Sequence, residues 1–143
     1  MKTVADTLRA KPHQTVYSVS PSTTVLAAIA LMAETQVGAL LVLEDEKLVG
    51  IISERDYVRK MVLKGRSSFA TPVRDIMTAD VITVGLTATN QHCMELMTQN
   101  HLRHLPVMQD DKVIGLLSIG DLVKGIIDEQ QKLIEHLEQY IRG

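Results

Sequence analysis

The residues best suited to chemistry fall in one short pattern that occurs twice, as Gly50-Ile51-Ile52-Ser53-Glu54-Arg55-Asp56 and as Gly115-Leu116-Leu117-Ser118-Ile119-Gly120-Asp121. Each passes from an apolar run into the start of a helical pattern. A hydroxyl and unpaired backbone N–H groups at a helix N-terminus suit a phosphate, and a carboxylate three residues on can accept both hydroxyls of a ribose. The same residue types also have a purely structural use, a serine N-cap with an acid complementing the helix dipole. A single copy favours capping, and two copies in register bring ligand binding forward.

The repetition extends well beyond these corners. Sliding the chain by 65 residues, the difference between Gly50 and Gly115, pairs Val16 with Val81, Val19 with Val84, Met32 with Met97, Val42 with Val107 and Lys47 with Lys112. Most other pairs exchange one apolar residue for another, so the hydrophobic rhythm and the polar punctuation stay in step. Each copy reads strand, helix, strand, strand, helix. In the first, Val16 to Val19 alternates as a strand, and Ser20 to Thr24 supplies a turn and a cap. Val25, Ala28, Ile29 and Met32 then line a helix ending near Gln36 to Gly38. Ala39 to Leu43 and Lys47 to Ser53 follow as strands, before a second helix to Lys64 and Gly65. The second copy places a helix at Asn90 to Asn100, strands at Leu105 to Met108 and Lys112 to Ser118, and a helix from Ile119 to Arg142. Between them Gly65 to Pro72 has linker composition, and Val73 to Met77 suits one helical turn. The fold class is α/β (α+β): residues 1–67 hold an N-terminal segment and the first repeat, and residues 68–143 the second repeat with its C-terminal helix. Each copy is small, so a face-to-face pair with pseudo-two-fold symmetry is expected.

Composition narrows the partners. The net charge of −2 exerts no general pull on nucleic acid or anionic lipid, and an aromatic content of 3% leaves few platforms for stacking bases. No apolar run spans a bilayer and the first residues lack a secretory pattern, so the cytoplasm is the expected compartment. Cys93, the lone cysteine, aligns with Ala28 on a buried helical face and reads as core. Gly115 to Gly120 has the glycine spacing of a phosphate loop, but Asp121 and Leu122 stand where Lys and Ser/Thr are required. His101 and His104 find no third ligand at a sensible spacing, so no metal is expected. No nucleophile, base and orienting group converge, so no enzyme activity is expected either.

Both corner segments resemble the signature of CBS domains, named for cystathionine β-synthase: glycine, two hydrophobic residues, Ser or Thr, two variable residues, then Asp. Asp75 to Thr78, Arg103 to Val107 and Ser53 to Tyr57 are similar to further parts of that family's pattern. The resemblance covers nearly the whole chain and implies a stand-alone two-repeat protein, a Bateman module, forming a homodimer that regulates an unidentified partner protein. It implies an adenine nucleotide ligand (AMP, ADP or ATP), with S-adenosylmethionine and NAD(H) as alternatives. By position, the ribose and phosphate contacts fall to Ser53 and Asp56 in one copy and to Ser118 and Asp121 in the other. The adenine side falls to Val37, Gly38 and Ala39, and to Leu102, Arg103 and His104. Arg55 faces Gly120 in the alignment, and Arg59, Lys60 and Lys64 follow it, so phosphate affinity should concentrate in the first copy, where the cations near Arg55, Arg59 and Arg66 could serve a second phosphate. Leu41 departs from the pattern where the second copy has Pro106. The alternative is a homodimerisation adaptor without ligand.

The stripe Ile127, Gln130, Ile134, Leu137 and Ile141 on the last helix, at alternating three- and four-residue steps, calls for a partner surface, and packing in a dimer is expected.

Overall fold

Two threonines start the first helix of each copy. Thr24 accepts the Ala27 N–H at 3.2 Å and Thr89 accepts the His92 N–H at 3.0 Å, so α2 (Val25–Thr35) and α4 (Asn90–Asn100) begin at equivalent positions. Each helix closes on a left-handed residue, Gln36 at φ 59° and His101 at φ 55°. The next N–H, of Val37 and Leu102, returns to the Met32 and Met97 carbonyls at 3.1 and 2.9 Å, satisfying the last turn and reversing the chain. These features come from a computed structural model that describes residues 1–12 and 15–143. Elements α1 (Val4–Ala10) and β1 (Ser18–Val19) precede α2.

A hairpin follows each of the two helices. Strands β2 (Ala39–Glu44) and β3 (Lys47–Ser53) pair antiparallel with Ala39 opposite Ser53, and β4 (His104–Gln109) and β5 (Lys112–Ser118) form the second pair. Asp45 and Glu46 in one turn and Asp110 and Asp111 in the other all have positive φ, between 51° and 66°, as a two-residue turn needs to match strand twist. The final helices are α3 (Glu54–Tyr57), continued by a π-helical turn at Val58–Val62, and α5 (Ile119–Arg142). Residues Val73–Asp75 make a 3-10 turn within the stretch Val73 to Met77 expected to form one helical turn.

One sequence expectation fails for a definite reason. In the first copy β1 lies parallel to β2 in the order β1-β2-β3, fastened by the Leu41 N–H donating to the Tyr17 carbonyl at 3.2 Å. The equivalent donor in the second copy is Pro106, which has no N–H. There the expected first strand shrinks to one parallel bridge between Val84 and Val107, and the sheet has two strands instead of three.

The compact units follow contacts rather than chain order. One comprises Thr15–Ile82 with Asp110–Ile114, the other residues 1–12, 83–109 and 115–143. The first is built on a cluster of Val25, Ala28, Met32, Leu40, Val42, Ile52, Met61, Val73 and Ile76. In the second, Val4, Cys93, Met97, Leu105, Val107, Leu117 and Leu122 are buried, and burial pushes the Cys93 thiol pKa up. Each unit thus combines one copy of the repeat with the lead-in that precedes the other copy. The two lead-ins match at an offset of 69, Val4 with Val73, Asp6 with Asp75 and Leu8 with Met77. Their approach explains the conspicuous glycines. A Cβ on Gly50 would sit 2.5 Å from Met77 Sδ, and one on Gly115 2.9 Å from Leu8 Cδ2, so each strand is bare where the lead-in side chain crosses it.

The lead-ins also differ between units. Where the first unit buries Val25 and Ile76 in its apolar cluster, the second buries Asn90 and Thr7, whose hydroxyl donates to Asn90 Oδ1 at 3.0 Å. Asn90 Nδ2 is buried with no hydrogen-bond partner among the described residues. An unmet donor of this kind costs about 1–3 kcal/mol. Thr7→Val alone strands the amide entirely and is expected to lower stability by about 1–3 kcal/mol. The double change Thr7→Val with Asn90→Val should match or exceed the parent in urea midpoint. A double variant less stable than Thr7→Val alone would contradict this account.

Candidate functional site

The corner between β3 and α3 is held by a reciprocal cap. Ser53 has extended backbone and its Oγ accepts the Asp56 N–H at 3.2 Å, while Asp56 Oδ2 accepts the Ser53 N–H at 2.9 Å and the Ser53 hydroxyl at 3.1 Å. The β5 to α5 corner repeats it, with Asp121 N–H to Ser118 Oγ at 3.1 Å and Ser118 N–H to Asp121 Oδ2 at 2.8 Å. These are capping boxes with Asp as the reaching acid, so the structural use of the pattern is realised in both copies.

The segments that resemblance assigns to the adenine side lie against these corners. The Glu54 N–H donates to the Gly38 carbonyl at 3.1 Å, and the Ile119 N–H to the Arg103 carbonyl at 2.8 Å. The first free donor of each final helix is thereby spent on the loop after the preceding helix. Ala39 is buried opposite Ser53, while Val37 and Gly38 are half-buried. In the second copy Leu102 and His104 are half-buried and the Arg103 side chain is exposed. Arg55 is half-buried on the first turn after Ser53, and Arg59 and Lys64 are exposed. Arg66 is exposed and belongs to the connector. With Ser67, Ala70, Thr71 and Asp75 it lines an open depression of about 430 Å³ in the connector.

Each carboxylate also carries a lysine, and the two lysines come from different places. Lys60, one turn beyond Asp56, sits 3.2 Å from its Oδ1 and donates to the Ile76 carbonyl at 2.8 Å. Lys11, just after α1, sits 2.9 Å from Asp121 Oδ2 and donates to the Leu116 carbonyl at 2.8 Å. In both units the ammonium therefore ties the corner to the lead-in, reaching out from the corner helix in one and in from the lead-in in the other. The lysine partners are invisible to the repeat, because Gly125 aligns with Lys60. A carboxylate has about four acceptor positions, and the Asp56 and Asp121 side chains remain 14% and 21% exposed. Among the described residues Asp121 Oδ1 has no hydrogen-bond partner. Among the described residues no group of three or more His, Cys, Asp or Glu could hold a metal.

His104 opens β4 beside this second corner. Burial is the main cause holding its pKa below the ordinary histidine value, with Lys11 and Arg103 adding to the depression and Asp121 opposing it. Because the folded pKa is the lower one, the unfolded chain binds more protons as pH falls through about 6.5, the ordinary value. Stability is therefore expected to fall on acidification below that point and to level off once the folded imidazole also charges. His104→Asn should flatten this segment of a denaturant midpoint against pH curve, and an unchanged slope would refute the assignment.

The CBS domain family model matches residues 6–63 and 73–128. Among curated relatives, the mitochondrial CBS domain-containing protein CBSX3 of Arabidopsis thaliana is 44% identical over 125 residues, covering 84% of this chain. This chain spans 61% of that relative's length. YhcV, a CBS domain-containing protein of Bacillus subtilis, is 30% identical, with 85% of this chain and 84% of the relative covered. A solved CBS-domain protein from Burkholderia ambifaria is 51% identical with a TM-score of 0.87, covering 90% of this chain and 96% of that one. The CBS domain pair of protein MJ0100, solved with 5′-methylthioadenosine and S-adenosyl-L-methionine, shares the fold at 22% identity and a TM-score of 0.78, covering 90% and 98%. With two matched copies, each folded around its own capped corner, this chain belongs to the CBS domain family as a tandem CBS pair.

Proposed function

We propose that the chain is a regulatory module that binds an adenine nucleotide (AMP, ADP, ATP or NAD(H)) and, as a homodimer in the cytoplasm, modulates a partner protein without catalysing a reaction. The observation that carries this reading is the twofold placement of a partly exposed carboxylate at a strand-to-helix corner, joined by one hydrogen bond to the segment before the strand pair. A ribose takes two acceptor positions; among the described residues Asp121 keeps Oδ1 for them, whereas Asp56 Oδ1 is shared with Lys60, which a ribose hydroxyl would have to displace or join. The lysine on each carboxylate supplies positive charge beside the sugar, where a phosphate needs it. The adenosyl ligands of the MJ0100 pair belong to the same chemical class. The chain has no described helix long and apolar enough to cross a membrane. In this reading the ligand acts by preferring one arrangement of the module, and the response cannot exceed that preference.

The adaptor without ligand is a second reading, and a specific observation favours it: both carboxylates are already engaged in caps and ion pairs. Isothermal titration with AMP, ATP, NADH and S-adenosylmethionine separates the two. Saturable binding is expected, and Asp56→Ala and Asp121→Ala should each weaken one site by about tenfold or more, the loss of a charge-assisted hydrogen bond pair. Each change also removes a cap worth about 1 kcal/mol, so melting of the free variants is measured alongside. Flat titrations for all four ligands with unchanged melting would establish the adaptor instead, and hydrolysis of ATP by the purified chain would contradict both.

A further inference from the structure

The distal part of α5 has an apolar face and nothing described to cover it. All residues from 130 to 143 are exposed, and eight apolar side chains on α5 stand open to solvent, from 38% at Ile119 through Val123, Ile127, Leu133, Ile134 and Leu137 to 86% at Tyr140, with Ile141 beside it. Val123, Ile127, Gln130, Ile134, Leu137 and Ile141 form a seam at steps of four and three, the spacing of a helix that pairs with another helix.

We propose that this seam pairs antiparallel with the α5 of a second copy, which gives the homodimer proposed above its interface. None of the seam residues takes part in the capped corners. In the register that sets Ile127 against Leu137 of the second copy, Val123 meets Ile141 and Gln130 meets Ile134, and every layer repeats by the twofold axis. The flanking positions of that register place Lys124 opposite Glu138 of the second copy, twice. Neither residue has an ion pair among the described residues. In a parallel pairing Lys124 would face Ile119, Glu138 would face Leu133, and the two Gln130 side chains would meet in one layer, so charge complementarity selects the antiparallel form. The proximal half of the seam has space for the partner's tail, since Val123 and Ile127 are exposed although the opposite face of the same turns buries Leu122 and Gly125.

Sedimentation equilibrium of the full chain tests this. The parent should dimerise reversibly, and Ile134→Glu should raise the dimer dissociation constant about tenfold or more while circular dichroism stays native, because the position is solvent-facing. Lys124→Glu and Glu138→Lys should each weaken the dimer, and the combined exchange should restore it. Dimers that ignore Ile134→Glu, or single charge variants that weaken while their combination fails to recover, would overturn the antiparallel seam and leave the homodimer itself standing. A parent that remains monomeric at all concentrations would overturn both, and if its α5 amides were protected from exchange the seam would be covered from within the chain. Nucleotide titration of Ile134→Glu reads the ligand proposal separately, since that variant leaves both corners intact.

Discussion

Everything around the candidate site hangs on a hydrogen-bonded exchange across four residues, in which a serine accepts from the backbone of an aspartate and the aspartate accepts from the backbone of the serine. This exchange ends a strand and starts a helix at a fixed residue, because a slip of one position would leave both the hydroxyl and the carboxylate without their backbone partners. The corner then fixes its neighbours. The next N–H is spent on the carbonyl at Gly38 or Arg103, the lysine bridges to the lead-in, and the glycine three residues earlier lets that lead-in come close. The cap also fixes the direction of each carboxylate and spends one of its oxygens, so the same bonds that orient the acid limit what else it can accept.

Much of this was legible in the sequence because it depends on short-range periodicity. Helix α4, strands β3 and β5 and the span of α5 fall on the residues that the repeat and its hydrophobic rhythm mark out. What was missed depends on contacts remote in sequence. The N-terminal helix α1 carries its own signal, Thr3 followed by Asp6 in a capping box, yet its kinship to Val73–Met77 appears only at an offset of 69 and is hidden when the copies are aligned at 65. Lys11 lies 110 residues from the Asp121 it joins, so no local pattern announces it. The loss of the first strand in the second copy was foreseeable from Pro106, once the missing N–H is followed to the bond that Leu41 makes in its place.

The two copies share a backbone and diverge in its fittings. A lysine reaches the acid from the helix in one unit and from the lead-in in the other, and an apolar pair in one core is a polar pair in the other. Such differences leave the corner geometry intact and change the electrostatics and stability around it, so a duplicated frame can hold two sites of unequal character. His104, depressed mainly by burial, has Ala39 as its first-copy counterpart by alignment, so this position carries an imidazole in only one of the two copies.

The crossed lead-ins bear on how the chain can be divided. Each unit takes its lead-in from the stretch that precedes the other copy, so a cut in the connector yields two fragments, neither of which carries a whole unit.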